Sequence, residues 1–158
     1  MSDLIREELD VLQTDLDDES PQVLGALVEK LLGAGALDAH LAPLFMKKNR
    51  PGTRVEVLCR PEDRERLVLM LLRETATLGV KVRRTERYSL PRSFTTIRLY
   101  GAEVRVKQAL WQGRVLRAVP EFEDCRRLAE EKGLVLRDVL EQARTAAAEL
   151  VDCEECGE

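Results

Sequence analysis

The sequence predicts an α+β fold built on an antiparallel sheet, and three observations support this class. Segments in which apolar and polar residues alternate, as in half-buried strands, are interleaved with segments whose apolar residues follow helical spacing. Glycine, proline and acidic turns separate these segments at short intervals. The 158 residues, 44% hydrophobic but only 4% aromatic, suffice for an aliphatic core in one domain, or in one domain with an extension.

The chain begins with a pattern of strand, helix, strand and strand. A first strand is expected from Leu9, and Ser20 and Pro21 are suited to start the helix that Gly33 ends. The apolar stretch 37–48 contains Pro43, which predicts an edge or bulged strand. Alternating apolar and charged residues over 54–60 predict a third strand.

A second helix and a fourth strand complete this part of the fold. The helix is expected to open at Pro61 and to end with Gly79 as its C-terminal cap, and the strand covers 80–90. The order is that of the ferredoxin-like split βαβ arrangement. Its two helices cover one face of the sheet and leave the other face for ligands or subunits.

After Pro91 the pattern changes to three short strands, 94–100, 102–108 and 114–119, separated by Gly101 and Gly113. Two helices separated by Gly133 follow. We therefore expect a ferredoxin-like βαββαβ unit over 9–90, a β-meander with a helical hairpin over 91–150, and a mobile acidic tail over 151–158.

Charge is segregated along the chain. The net charge is -4, but residues 1–40 carry -8, residues 41–117 carry +11 and residues 118–158 carry -7. This distribution predicts either an anionic partner or neutralisation of the basic middle by the acidic ends, within the fold or an oligomer. No membrane span or secretory signal is evident, so a cytoplasmic protein without a membrane partner is expected. Nucleic acid is not an expected partner, because the aromatic residues are scattered.

Two charged clusters are candidates for binding a phosphorylated ligand with its cation. Asp15, Asp17 and Asp18 stand at a strand-to-helix junction and offer oxygen ligands to Mg²⁺ or Mn²⁺, although a helix N-terminus by itself favours acids. Three cations surround a predicted tight turn that could hold a polyphosphate or be an ordinary solvated turn: Lys47, Lys48 and Arg50.

Two further groups are weaker candidates. Polar residues at the end of the second helix and on basic strands could contact phosphates or be ordinary surface; they are Arg73, Thr75, Thr77, Arg83, Arg84 and Lys107. The start of the next-to-last helix carries acids and a thiol that could bind metal, or be an acidic first turn with a buried cysteine: Glu121, Glu123, Asp124 and Cys125. The CxxC pair Cys153 and Cys156 has no companion ligands, so it would at most load a soft metal transiently.

Several of these segments together resemble one family. In order and spacing, seven segments resemble the C-terminal region of the LarC nickel insertion proteins. They are TDLDD (14–18), EKLLGAGALD (29–38), PLFMKKNRPG (43–52), LCRPED (58–63), RETATLGV (73–80), RTER (84–87) and PEFEDC (120–125). The departures are mild, for example Asp15 at a usual Asn and Phe122 at a usual Tyr.

The resemblance implies an activity. The family is described as a CTP-dependent cyclometallase, or nickel chelatase of the lyase class, in nickel-pincer nucleotide cofactor biosynthesis for lactate racemase. It inserts Ni²⁺ into pyridinium-3,5-bisthiocarboxylic acid mononucleotide and consumes CTP with Mn²⁺ or Mg²⁺. Its C-terminal part binds CTP and forms the oligomer, so a homo-oligomer is expected here.

The resemblance also assigns roles to residues. With the residue chemistry, it makes the cations and threonines named above candidates for CTP phosphates and Asp15, Asp17 and Asp18 candidates for the divalent cation. Glu121, Glu123, Asp124 and Cys125 are candidates for contact with nickel or substrate, which the resemblance does not assign. Full-length members carry a long N-terminal region, which is a further expected partner if separately encoded. A noncatalytic nucleotide-binding or oligomerisation domain is the alternative, and no catalytic residue is assigned.

Overall fold

The structure, a computed structural model, describes residues 4–151, so Cys153, Cys156 and the predicted acidic tail after Val151 lie outside the described residues. The strands are β1 Ile5–Leu16, β2 Asp38–Met46, β3 Arg50–Cys59, β4 Lys81–Ser89, β5 Arg92–Leu99, β6 Ala102–Trp111 and β7 Arg114–Pro120. The helices are α1 Pro21–Gly33, α2 Arg64–Glu74, α3 Phe122–Lys132 and α4 Leu136–Ala148. None of the helices within 4–151 is long and apolar enough to cross a membrane.

The described residues divide into two compact units, Arg6–Arg87 and residues 88–151 together with residues 4–5. In the first unit the sheet has the order β2-β3-β1-β4, and β3 is antiparallel to both β1 and β2. Strand β3 is therefore inserted between β1 and β2, which α1 connects. This is the ferredoxin-like split βαβ arrangement, and the predicted α+β class is confirmed.

The core of the first unit lies between one face of the sheet and helices α1 and α2. Apolar residues at every second position of β1 and β3 pack against apolar stripes of both helices. The fully buried side chains of this core include Leu12, Leu24, Leu27, Leu31, Val55, Val57, Leu67 and Leu71. Burial of each contributes roughly 1.5–3 kcal/mol, which makes this aliphatic layer the main stabilising term of the unit.

Strand β1 begins at Ile5, four residues earlier than the sequence pattern predicts. Three of the four added residues are charged, and contacts with β4 hold them: Arg6 pairs with Glu86, and Glu7 accepts from Arg87 Nη2 at 2.8 Å. Cross-strand ion pairs extend a strand without apolar alternation. The alternation that begins at Leu9 therefore marks only the part of β1 that reaches the core.

Helix α2 ends at Glu74, and the expectation that Gly79 caps it was wrong. Thr75 is the C-cap; its hydroxyl donates to the carbonyl of Leu71 at 2.8 Å and satisfies one of the free carbonyls of the last turn. The chain then leaves the helix in an extended conformation. Residues 75–80 consequently form a loop that leads into β4.

In the second unit, β5, β6 and β7 form an antiparallel meander. One face packs against α3 and α4 around a core of Val104, Cys125, Leu128, Val139 and Ala143. Gly133 ends α3 with a left-handed φ of 63°, as its position predicted. The opposite face of the sheet is exposed.

Gly52 is at the tightest backbone approach in the first unit. A Cβ at this position would lie 2.8 Å from the carbonyl oxygen of Leu16 and 2.8 Å from the sulfur of Met46. We predict that Gly52→Ala lowers the free energy of unfolding by about 1–3 kcal/mol, because the β1 and β3 backbones must move apart. Chemical denaturation measures this change.

Gly25→Ala is the matched control, because Gly25 lies inside α1 with open space around its Cα. Alanine there should raise stability by about 0.5–1 kcal/mol through helix propensity. Equal effects of the two substitutions would contradict the close approach at Gly52.

Candidate functional site

Three loops meet at the end of β1 in the first unit, and we refer to residues 17–20, 47–52 and 75–80 as the loop cluster. Asp17 Oδ2 accepts from Arg50 Nη1 at 3.1 Å, which joins the first loop to the β2–β3 turn. Glu19 Oε2 accepts from the backbone N–H of Ala76 at 3.2 Å, which joins it to the loop after α2. Motifs that are far apart in sequence are therefore neighbours in the fold.

The β2–β3 turn presents unpaired cations. Lys47–Asn49 connect β2 to β3, and Lys48 and Asn49 adopt left-handed φ values of 63° and 56°. Such a conformation costs roughly 1–2 kcal/mol for a lysine. Within residues 4–151, neither Lys47 nor Lys48 makes an ion pair, whereas Arg50 is held by Asp17. Left-handed residues are usual in tight hairpin turns, so the conformation follows from the connection of β2 to β3. The two ammonium groups without ion pairs leave the turn available to an anion.

The threonines of the loop after α2 hold the loop itself. Thr77 Oγ1 lies 2.6 Å from Thr14 Oγ1, and both hydroxyls lie within hydrogen-bond distance of the Gly79 carbonyl. Thr75 Oγ1 accepts from the N–H of Thr77 at 3.2 Å. Both threonines predicted to bind phosphate thus lie in the loop cluster, where Thr77 fastens the loop to β1 and Thr75 fastens it to the end of α2.

Asp15 lies on the sheet face opposite the helices, the open face, rather than in the loop cluster. Its carboxylate accepts from Arg54 Nε at 2.7 Å and from Lys81 Nζ at 3.2 Å. The Arg54 guanidinium is the main cause of a fall in the pKa of Asp15 from 3.8 to about 2, with a further contribution from Lys81. Asp15 is therefore ionised and already neutralised by two cations.

The open face continues as a polar network across the four strands. Arg83 Nη2 donates to Gln13 Oε1 at 3.2 Å and lies 3.7 Å from Glu56, which is 3.8 Å from His40 Nε2. Among these residues, only Arg83 and Asp15 are site candidates from the sequence. The missed signal was the period-two spacing of Gln13 with Asp15 and of Arg54 with Glu56, which places each pair on one face.

The other predicted phosphate contacts are dispersed. Arg84 lies beside the buried Asp10, with Nε 3.7 Å from Oδ1, on the helix side of the sheet. Arg73 lines a groove of about 640 Å³ along α2 with Glu62, Glu65, Arg66, Leu69, Met70 and Glu74. Lys107 is in the second unit, on β6, 3.7 Å from Glu121.

Of the four candidate residues at the start of α3, Asp124 and Cys125 are buried, whereas Glu121 is half-buried and Glu123 is exposed. Asp124 is only 2% exposed and accepts from Arg105 Nε at 2.8 Å, from the Arg105 backbone N–H at 3.0 Å and from Arg127 Nη2 at 3.0 Å. Hydrogen bonds from Arg105 hold the pKa of Asp124 at about 2, below its usual 3.8. Glu123, which is exposed, pairs with Arg126 at 2.8 Å.

Cys125 is fully buried in the core of the second unit. Burial raises the pKa of its thiol, which favours the alternative of a buried, neutral cysteine. The desolvation that accompanies core packing outweighs the helix dipole. Asp124 and Cys125 therefore hold α3 against the sheet, and Glu121 and Glu123 are the members of the group on the surface side.

Among residues 4–151, no group of three or more His, Cys, Asp or Glu side chains is arranged to hold a metal ion. Asp17 and Asp18 nevertheless offer two adjacent carboxylates beside the cationic turn. Mg²⁺ and Mn²⁺ bound with a nucleotide use one or two carboxylates and take their other ligands from phosphates and water. The donor set fits a cation that arrives with a phosphorylated ligand.

Known structures share this fold. The chain is similar to the C-terminal domain of a cyclometallase involved in the synthesis of the NPN cofactor of lactate racemase, with a TM-score of 0.84 and 33% identity over 92% of this chain and 99% of that domain. A protein from Methanopyrus kandleri AV19 matches with a TM-score of 0.67 and 33% identity, over 92% of this chain and 90% of that protein. The chain is thus an α+β domain with the fold of the cyclometallase C-terminal domain.

The family model described as "Nickel insertion protein" matches residues 1–140, and the chain belongs to that family. It is 46% identical over 140 residues to a curated member from Myxococcus xanthus (strain DK1622). It is also 34% identical over 142 residues to the pyridinium-3,5-bisthiocarboxylic acid mononucleotide nickel insertion protein of Thermotoga sp. (strain RQ2). These alignments cover about 90% of this chain but only 36% and 35% of the two relatives.

Asp124 provides a test of the second unit. Asp124→Asn should lower the free energy of unfolding by about 1–3 kcal/mol at pH 7, since it removes the charge that receives hydrogen bonds from two arginines. Because the pKa of Asp124 is lower in the folded chain than in the unfolded chain, its contribution is complete above about pH 4 and disappears as pH falls through about 2. The free energies of unfolding of the original chain and of Asp124→Asn should therefore converge as the pH falls, and chemical denaturation from pH 7 to pH 2 measures this.

Glu123→Gln is the matched control from the same helical turn. Its partner Arg126 lies at the surface, and such pairs contribute only about 0–1 kcal/mol. If Glu123→Gln lowers the free energy of unfolding as much as Asp124→Asn does, the position in the first turn, rather than the buried hydrogen bonds, determines the effect.

Proposed function

We propose that this chain is the region of a nickel insertion protein that binds CTP and its divalent cation during CTP-dependent nickel insertion into a pincer nucleotide. The observation that carries the proposal is the loop cluster. There two lysines without ion pairs, Lys47 and Lys48, lie beside the adjacent carboxylates of Asp17 and Asp18. Family membership gives this anion site its context. The specific choice of CTP follows from the motif resemblance.

In this proposal the turn residues hold the triphosphate. Lys47 and Lys48 are free to contact phosphate oxygens, and Arg50 can exchange Asp17 for a phosphate because its side chain is 58% exposed. Backbone N–H groups at the left-handed residues of the turn add donors near the same surface. Arg83 on the open face and Arg73 at the end of α2 are further phosphate contacts within the same unit, whereas Arg84 is directed to Asp10.

Asp17 and Asp18 would hold the divalent cation. Asp18 makes no ion pair within the described residues, and displacement of Arg50 by phosphate would release Asp17 as a second oxygen ligand. Mg²⁺ or Mn²⁺ neutralises phosphate charge when it is bound with a nucleotide. Asp15 remains with Arg54 and Lys81 and keeps the end of β1 in place.

The loop after α2 holds the end of β1 and the acidic segment 17–20 in fixed positions. Thr77 fastens the loop to Thr14, and Glu19 binds the N–H of Ala76. Pre-organised contacts of this kind lower the ordering cost of ligand binding. The proposed activity is the cleavage of CTP between the α and β phosphates in support of Ni²⁺ insertion, with Ni²⁺ and the mononucleotide as substrates.

A noncatalytic oligomerisation domain is the second candidate, and one observation favours it. Phe45, next to the cationic turn, is 80% exposed, and Leu78, in the loop after α2, is 101% exposed. Apolar side chains that form a contiguous exposed patch mark association surfaces, and these two residues are the candidates for one. Oligomerisation and CTP binding can coexist, so the two candidates differ in whether nucleotide binds at all.

The CTP proposal predicts a nucleotide-specific stabilisation. CTP with Mn²⁺ should raise the melting temperature of the chain more than ATP, GTP or UTP does, because a ligand that binds only the folded state stabilises it by mass action. At a CTP concentration 100 times Kd the gain is about 2.7 kcal/mol. Equal responses to the four nucleotides, or no response, would contradict the proposal.

Lys48→Gly separates binding from folding. The substitution removes one phosphate contact and relieves the left-handed strain, so the unliganded protein should be as stable or up to about 1 kcal/mol more stable. The CTP-dependent shift should nevertheless fall. Lys132→Gln, at the exposed end of α3, is the matched control and should leave both measurements unchanged.

The oligomerisation candidate predicts a different response. If Phe45 and Leu78 lie in a contact between copies of the chain, Phe45→Ser with Leu78→Ser should lower the molar mass measured by light scattering without affecting the CTP-dependent shift. Because those contacts are apolar, 0.5 M salt should leave the molar mass unchanged, whereas assembly through charged segments would be dissociated. A chain that is monomeric before substitution would exclude this candidate.

A further inference from the structure

The exposed face of the second unit's sheet carries a mixed aromatic and cationic row. Phe94, Lys107 and Val119 are cross-strand partners on β5, β6 and β7. Phe94 is 64% exposed and Val119 is 49% exposed, whereas Val104 and Val106, which alternate with Lys107 along β6, are buried. The row therefore lies on the face opposite α3 and α4.

The adjacent row provides two arginines without partners. Arg92, Ala109 and Arg117 are cross-strand partners, and within residues 4–151 neither arginine makes an ion pair. Neighbouring strands are about 4.8 Å apart, so the two arginines are anchored roughly 10 Å from each other across the small Ala109. An irregularity in register between Ala109 and Leu110 lies beside Arg117. Such bulges redirect side chains and are enriched near functional sites.

Two other cations of this face are engaged. Arg105 is bound to Asp124, and Arg98 lies 4.0 Å from Glu103. Lys107 is 3.7 Å from Glu121, a half-buried acid at the start of α3, and its side chain remains 45% exposed. Arg92, Lys107 and Arg117 thus concentrate positive charge around a single exposed phenyl ring, Phe94.

We infer that these four residues, the Phe94 face, bind the aromatic mononucleotide substrate itself. This inference rests on the proposed function for the identity of the ligand, a pyridinium ring that carries acid groups and a ribose phosphate. A cationic ring is attracted to the face of Phe94, and the planar guanidinium groups of Arg92 and Arg117 suit phosphate and carboxyl-type anions. Lys107, predicted from the sequence to contact phosphate, contributes a third donor.

The composition of the face favours one mononucleotide over RNA. Sheets that bind single-stranded RNA stack two or three bases on separate aromatic residues. On this face Phe94 is 64% exposed, whereas Trp111, two positions beyond Ala109 on β6, is half-buried. Tyr100 lies in the β5–β6 turn with a φ of 49°. A single ring with three cations matches a ligand of one ring and a few anionic groups.

Nicotinic acid mononucleotide is a suitable probe, because it combines a pyridinium ring, a carboxylate and a ribose phosphate. Titration of the isotopically labelled 158-residue chain should shift amide resonances around Phe94, Lys107 and Arg117. Affinity should exceed that of ribose 5-phosphate, which lacks the ring, by at least about fivefold. Oligouridine serves as the RNA competitor.

Substitutions distinguish the ring from the charges. Phe94→Leu keeps apolar surface without the π face and should weaken probe binding about fivefold or more, while Phe94→Tyr should retain it. Arg117→Gln should weaken binding by a similar factor. Arg98→Gln, on the same strand and face as Phe94 but paired with Glu103, is the matched control and should have no effect. Unchanged melting temperatures confirm that each variant folds.

The inference is overturned if the probe does not bind, if Phe94→Leu and Arg117→Gln bind it like the original chain, or if oligouridine binds more tightly to these residues. The CTP-dependent thermal shift is measured on the same variants and should be preserved. A preserved CTP shift without probe binding would overturn only the Phe94 face. Probe binding that depends on Phe94, in a chain without a CTP shift, would overturn only the CTP proposal.

Discussion

The pairing of β1 with β3 is the constraint on which the first unit depends. In this register Leu16 lies opposite Thr53, and Gly52 packs against the Leu16 carbonyl. Successive residues of β1 consequently enter different environments: Leu12 and Leu16 enter the core, and Asp15 enters the open face. A shift of the register by one residue would exchange these faces and separate the loops that meet at the end of the strand.

The same pairing explains much of the charge segregation along the chain. Acids of the first 40 residues are bound by bases from 41–117 within the first unit, as in Asp10 with Arg64, Asp15 with Arg54 and Asp17 with Arg50. Neutralisation within the fold thus accounts for many of the cations. Cations without an ion pair in the described residues, such as Lys47 and Lys48, are therefore more informative about an anionic ligand than the net charge of the segment.

Burial likewise distinguishes reactive side chains that stabilise the fold from those that are accessible to a ligand. Cys59 and Cys125 are both buried, and burial raises the pKa of the Cys59 thiol to about 11, so both are neutral packing residues. Asp124 is ionised but saturated by hydrogen bonds that hold α3 on the sheet. Reactive residue types in a motif are thus not by themselves evidence of a reactive site, because the fold can use each of them for stability.

The amino-acid sequence by itself determined the class and order of the elements, because hydrophobic periodicity, caps such as Ser20 and Gly133, and turn residues act locally. It also identified the family, through motifs whose order and spacing are linear properties. Only the tertiary structure decided which charges are free, where β1 begins and how α2 ends. Those outcomes depend on partners distant in sequence, such as Glu86 for Arg6 and Arg54 for Asp15, and a linear pattern carries no information about the distance between such side chains.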